Sequence, residues 1–181
     1  MKQIIAVDID NTVVNTGELW HLWLLSRFKQ VRCFKPLKQP YNLTELFELP
    51  EGVDGFDFWR DPSLYNGLQP VKNSVEVLSK LSEKYDIIFV SQAKGWHHKS
   101  KFKFIEKWFP FNKGLILTKE KNYVRCDYFI DDSLTQINNM PLDVDCLWLE
   151  TDYVQCGVEP ERRLCKVTNW KEIEGQIEKQ S

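Results

Sequence analysis

Ile4-Ile5-Ala6-Val7-Asp8-Ile9-Asp10-Asn11-Thr12 opens as an unbroken apolar run and ends on two acids one residue apart. A short run of this kind reads as a strand buried on both faces, and residues i and i+2 of a strand point the same way. Both carboxylates can therefore reach one point just beyond the strand's C-terminal end, where open α/β sheets bind ligands. Two readings stand side by side. Asp, Asn and Thr favour turns by bonding nearby backbone, whereas paired carboxylates with a backbone carbonyl suit a hard divalent cation such as Mg²⁺.

The residues downstream decide the architecture around that strand. Leu19, Trp20, Trp23, Leu24 and Phe28 recur at helical spacing over residues 18–28. Pro36, Pro40, Pro50, Gly52, Gly55, Pro62 and Gly67 then punctuate short segments. Phe47, Phe56, Phe58, Trp59 and Tyr65 are too many aromatics for a loose linker. The expectation is a small, mainly helical cap over residues 17–66, with these aromatics as its core, its substrate wall, or both.

Beyond it, helix and strand alternate. Val71, Val75, Leu78, Leu81 and Tyr85 mark a helix, residues 86–90 a strand ending at Ser91, and Phe102, Ile105 and Phe109 a second helix. Strands are expected at 115–118, 128–130, 146–149 and 164–167, and a last helix from about Asn169. Repeated βα units predict an α/β fold: a Rossmann-like, mostly parallel sheet formed by residues 1–16 and 67–181.

Composition bounds the function. The 181 residues are 43% hydrophobic with a net charge of −2, enough for one substantial core and no global attraction for nucleic acid or acidic membrane. Cys33, Cys126, Cys146, Cys156 and Cys165 are odd in number and include no C-x-x-C pair, so neither a disulfide framework nor a zinc site is expected. No apolar stretch approaches bilayer length, and the first strand leaves no room for a leader, so a cytoplasmic protein without a membrane partner is expected.

Four strands end on groups able to handle phosphate: Asp8 and Asp10, then Ser91, then Lys119 and Lys121, then Asp131-Asp132. In a parallel sheet these ends converge on one edge. Their order and types resemble the haloacid dehalogenase (HAD) superfamily of phosphatases, with Asp8-Ile9-Asp10-Asn11-Thr12 similar to its first motif. Ile116-Leu117-Thr118-Lys119-Glu120-Lys121 and Asp127-Tyr128-Phe129-Ile130-Asp131-Asp132 bring the chain closest to the 5'(3')-deoxyribonucleotidases. There too a lysine sits ten residues before the paired acids, which selects Lys121. The likeness covers most of the α/β core and is weak over residues 17–66. Asn11 stands where those nucleotidases usually carry Gly, and Asn tolerates positive φ.

The resemblance implies Asp8 as nucleophile and Asp10 as general acid and base. It implies Ser91 and Lys121, with Gln92 as helper, around the phosphate. Mg²⁺ would lie between Asp8, the Asp10 backbone carbonyl and Asp132, with Asp131 left between an inner and a supporting place. The reaction implied is hydrolysis of a (deoxy)nucleoside monophosphate. For the base, Trp20 and Trp59 offer flat surfaces, though either can serve as core. Lys94-Gly95-Trp96-His97-His98-Lys99-Ser100-Lys101-Phe102-Lys103 mixes cations with aromatics. It reads either as a solvated helix face or as a groove for polynucleotide 3'-phosphate ends. Otherwise no stable nucleic-acid partner is expected, a homodimer stays open, and a non-catalytic phosphate-binding protein is the contrasting class.

Overall fold

The computed structural model describes residues 2–33, 42–92, 95–153 and 159–180. Its first strand, β1 (Ile4–Val7), has Ile5, Ala6 and Val7 fully inaccessible, as a doubly covered strand requires. Burying each branched side chain contributes about 1.5–3 kcal/mol, so β1 belongs at the middle of a sheet.

The remaining elements follow in chain order. Helix α1 (Thr16–Leu25) leads to an antiparallel ribbon of β2 (Lys29–Gln30) and β3 (Phe47–Glu48), then to α2 (Ser74–Leu81) and β4 (Asp86–Ser91). Next come α3 (His98–Trp108), β5 (Gly114–Leu117) and β6 (Tyr128–Asp131). The chain closes with α4 (Leu134–Asn139), β7 (Asp145–Leu149), β8 (Cys165–Val167) and α5 (Trp170–Gln180).

Six strands form one parallel sheet in the order β5-β4-β1-β6-β7-β8. The chain builds outward from β1 through β4 to β5, then returns across β1 to lay down β6, β7 and β8. That reversal makes a switch point at β1, the place where such sheets open a crevice. Alternation sorts the core into two layers. Ile5, Val7, Phe89 and Ile130 pack with α1, α2, α3 and α5, while Ala6, Val90, Phe129 and Cys146 pack with Ile137 and Met140 at α4.

Helix α4 is absent from the sequence reading. At six residues, with Asn138 and Asn139 closing it, it has too few turns and too poor a propensity to show a period. Ser133 caps it, accepting from the Gln136 amide. Helix α1 starts and stops earlier than its apolar spacing suggests, although the Phe28 amide still bonds the Leu24 carbonyl at 2.9 Å.

The described part of residues 17–66 is less helical than expected. Besides α1 it holds two short 3-10 turns, Leu43–Leu46 and Asp57–Arg60, and the β2–β3 ribbon. Its Trp20, Leu24, Phe47, Phe58 and Tyr65 belong to the same apolar cluster as β1 and β4. Prolines 36 and 40 lie outside the described residues. Cys33, Cys126, Cys146 and Cys165 are free thiols, and Cys156 is outside the described set. Among the described residues no helix is long and apolar enough to cross a membrane.

Candidate active site

Pairing of β1 with β6 brings residues 8 and 131 together from opposite ends of the chain. The Asp8 amide donates to the Ile130 carbonyl at 2.9 Å, extending the ladder one residue past β1. Lys121, in a 3-10 turn after β5, places Nζ 2.7 Å from Asp8 Oδ1 and 2.7 Å from Asp131 Oδ2. All three side chains are buried. Asp8, Asp131 and Asp132 each offer a carboxylate oxygen within 4.8 Å of the others.

One lysine is too little charge for that triad. Burial, joined by the charges of Asp131 and Asp10 and only partly opposed by Lys121, pushes the Asp8 carboxyl up to about 7. Burial and the neighbouring acids hold Asp132 well above the usual carboxylate range. Lys121 itself stays protonated, because Asp131 and Asp8 outweigh the burial that works against its charge. An all-oxygen set short of positive charge fits a divalent cation. Both Asp131 oxygens accept a hydrogen bond, Oδ2 from Lys121 and Oδ1 from the Ser133 amide at 2.8 Å.

Asn11 turns the chain out of the strand. Its φ of 59° lies in the left-handed region, which Asn reaches more readily than most residues. Its Oδ1 accepts from the Gly17 amide at 2.7 Å. The close approach dictates the glycine: a Cβ at Gly17 would stand 2.7 Å from Asn11 Oδ1 and 2.9 Å from Tyr153 Cβ. In an ordinary helix Gly→Ala stabilises. Here Gly17→Ala is expected to destabilise by about 1–3 kcal/mol, the usual cost of overpacking, and calorimetry should record a lowered Tm.

A second cluster gathers around Asp10. Lys101 Nζ lies 2.7 Å from its Oδ2, while Tyr65 Oη donates to Oδ1 at 2.6 Å and Thr16 Oγ1 to the same oxygen at 3.0 Å. Burial favours the neutral acid, yet Lys101, Tyr65 and Thr16 outweigh it and hold Asp10 below the usual carboxylate range. Ser91, the last residue of β4, accepts from Lys101 Nζ at 2.9 Å. It serves no helix as a cap among these contacts. Gln92 is exposed, lines the cavity, and lends its carbonyl to Lys101 at 3.3 Å.

Lys101 and Tyr65 are site residues that the sequence reading missed. The reading of residues 94–103 as a solvated face is corrected at three positions: Lys101 is 0% exposed, Ser100 is buried, and His97 is buried, bonding the Trp59 carbonyl at 3.0 Å through Nδ1. Lys99 and Phe102 remain exposed, and Lys94 is outside the described residues. A signal was available, since Lys101 shares helical spacing with the buried Phe104 and Ile105.

The clusters open into one cavity of about 360 Å³, a size suited to a small molecule. Asp8, Asp10, Ser91, Lys121 and Asp132 line its polar end, and Trp20, Phe56 and Trp59 an aromatic wall. Trp20 is both core and wall: it is 5% exposed, donates from Nε1 to the Gly55 carbonyl at 2.9 Å, and meets Trp59 edge-on at 5.7 Å.

A parallel sheet in this order, with acids, a serine and a lysine at its C-terminal edge, defines a phosphomonoesterase of the HAD superfamily. Solved HAD-like structures share the fold. The Bacillus subtilis protein YfnB, described as a HAD hydrolase bound to magnesium, superimposes with a TM-score of 0.61 over 97% of this chain and 98% of its own, at 15% identity. A haloacid dehalogenase-like hydrolase from Xanthomonas campestris gives 0.57 over 98% and 95%, at 14% identity. Within that class the chain belongs to the family "5' nucleotidase, deoxy (Pyrimidine), cytosolic type C protein", which it matches over residues 2–180. It is similar to the 5'(3')-deoxyribonucleotidases of Bacillus subtilis strain 168 and Bacillus phage SPbeta, each 21% identical over 98% of this chain and 99% of the relative.

Proposed function

We propose that this phosphatase is Mg²⁺-dependent and hydrolyses (deoxy)nucleoside monophosphates to nucleoside and phosphate through an aspartyl-phosphate on Asp8. The observation that carries this reading is the cavity itself, with an acid triad and lysine at one end and an aromatic wall at the other.

In this mechanism a carboxylate oxygen of Asp8 forms the bond to phosphorus as the bond to the nucleoside oxygen breaks, dividing one hard step into two. Asp10, held as a carboxylate in the free site, must first take up a proton, which it then gives to the departing oxygen. In the second half it takes a proton from the water that attacks the aspartyl-phosphate, restoring the acid for the next turnover. The Lys101, Tyr65 and Thr16 contacts favour the charged form that receives that proton. Lys121 and Ser91, with Gln92 beside them, hold the equatorial phosphate oxygens. Asp8, Asp132 and the Asp10 backbone carbonyl would hold Mg²⁺, and the bound ion would offset the repulsion between anionic nucleophile and anionic phosphate. Asp131 orients Lys121 and the start of α4 through its bonds to Lys121 Nζ and the Ser133 amide.

Trp20 and Trp59 offer the base its flat surfaces. A polynucleotide end is the weaker reading, because Lys101 is spent inside the site and Lys121 is the only lysine lining the cavity among the described residues. Residues 17–66 act as the cap over the α/β core, and free thiols suit a reducing cytoplasm.

A panel of 5'- and 3'-mononucleotides run beside 3'-phosphorylated oligonucleotides, all with Mg²⁺, tests the reading. Preferred phosphate release from mononucleotides is expected. Inactivity across the mononucleotides, or preference for the oligonucleotides, would overturn it.

A further inference from the structure

Lys101 is a fully buried cation on a helix whose neighbouring buried positions include Phe104 and Ile105. Lysine is almost never fully buried unless paired, and an apolar side chain would fold there at less desolvation cost. Its partners show what the charge does. All three ammonium hydrogens have acceptors: Asp10 Oδ2 at 2.7 Å, Ser91 Oγ at 2.9 Å and the Gln92 carbonyl at 3.3 Å. None is left for a substrate. Tyr65 packs its ring 5.0 Å from the same Nζ and sends its own hydroxyl to Asp10 Oδ1.

The contact with Ser91 carries the argument. An ammonium only donates, so Ser91 Oγ accepts there and its own hydrogen must go elsewhere. Among the described residues that hydrogen has two acceptors, Asp10 Oδ2 at 3.4 Å and the Gln92 carbonyl at 3.5 Å, both at the long limit of hydrogen bonding. Lys101 already holds each of them more closely. The hydroxyl of Ser91, which lines the cavity, is thereby left to donate into it.

We propose that Lys101 is a positioning residue that makes the Ser91 hydroxyl a donor to the substrate phosphate and clamps the Asp10 carboxylate beside it. The proposal rests on the reading of Ser91 as a phosphate contact. Lys101 acts through these two side chains, and its ammonium hydrogens are spent on them and on the Gln92 carbonyl rather than on substrate.

The test uses the full chain with Lys101→Met, Lys101→Gln, Ser91→Ala and Ser91→Ala/Lys101→Met. Circular dichroism reads folding, calorimetric titration with inorganic phosphate in Mg²⁺ reads the anion site, and kcat and KM are taken on a deoxynucleoside 5'-monophosphate. Loss of one oriented donor is worth about 10²–10³ in kcat, and a fall of about that size is expected for folded Lys101→Met. Phosphate affinity should fall about tenfold in Ser91→Ala and in Lys101→Met, and no further in the double variant, since both remove one contact. Lys101→Gln, which keeps donors without the charge, should fall between Lys101→Met and wild type.

Phosphate affinity within about twofold of wild type in the folded Lys101 variants would overturn the proposal, as would losses that multiply in the double variant. So would failure of both single Lys101 variants to fold, which would make the lysine a residue that holds the fold. An inactive wild type on mononucleotides would instead remove the substrate reading, and the phosphate titrations would still decide the role of Lys101.

Discussion

Asp8→Asn is expected to lower mononucleotide turnover by at least about 10⁴-fold, the scale seen when a covalent nucleophile is removed, while the protein stays folded. An amide keeps the shape of the carboxylate but is far too weak a nucleophile to open phosphorus. Stability should not suffer. Lys121 retains Asp131 at 2.7 Å when Asp8 loses its charge, and one member of a crowded acid triad disappears. The pH dependence has a definite sign. Asp8 lies at about 7 in the folded protein against a reference of 3.8, so the native state binds this proton more tightly than the unfolded chain does. The stability it contributes is fully present below pH 3.8 and is lost as pH rises through 7. Metal-free wild type should therefore lose Tm between pH 6 and 8 more steeply than Asp8→Asn, as differential scanning calorimetry of the two would show. Measurable turnover in Asp8→Asn, above about 1% of wild type, would remove Asp8 as the nucleophile.

Removing divalent metal should abolish turnover and readdition of Mg²⁺ should restore it. The expectation follows from charge: Asp8, Asp131 and Asp132 converge on one point with Lys121 as their buried cation, and an incoming phosphate adds further negative charge. Binding to the folded state alone also raises stability. At about 100 times its Kd a ligand contributes about 2.7 kcal/mol, or about 5–10 °C in Tm for a chain of this size. The rise should be larger at pH 8 than at pH 6, because the ion displaces a proton that Asp8 holds at the lower pH. Activity that survives chelation, or a Tm indifferent to Mg²⁺, would exclude the metal.

Strand positions were the most legible feature because β1, β4 and β6 are short apolar runs that end sharply on polar groups. A parallel sheet sends such ends to one edge, so Asp8, Ser91, Lys121 and Asp131-Asp132 could be read as neighbours across more than 120 residues of chain. Helix α4 and the β2–β3 ribbon were not legible. Two-residue strands and a six-residue helix lie below the length at which a period can be counted.

By itself the sequence determined the alternation of strands and helices, a largely parallel sheet and the set of ionisable groups at its edge, because apolar periodicity and strand termini are local properties of the chain. Only the tertiary structure decided which cation serves which acid. Lys121 reaches Asp8 and Asp131, whereas Lys101, one of several lysines on an apparently solvated helix, turns inward to Asp10 and Ser91. Charge carries no periodicity, so the partner of a lysine depends on how helices seat against the sheet. The double use of Trp20, as core and as cavity wall, follows from that same packing.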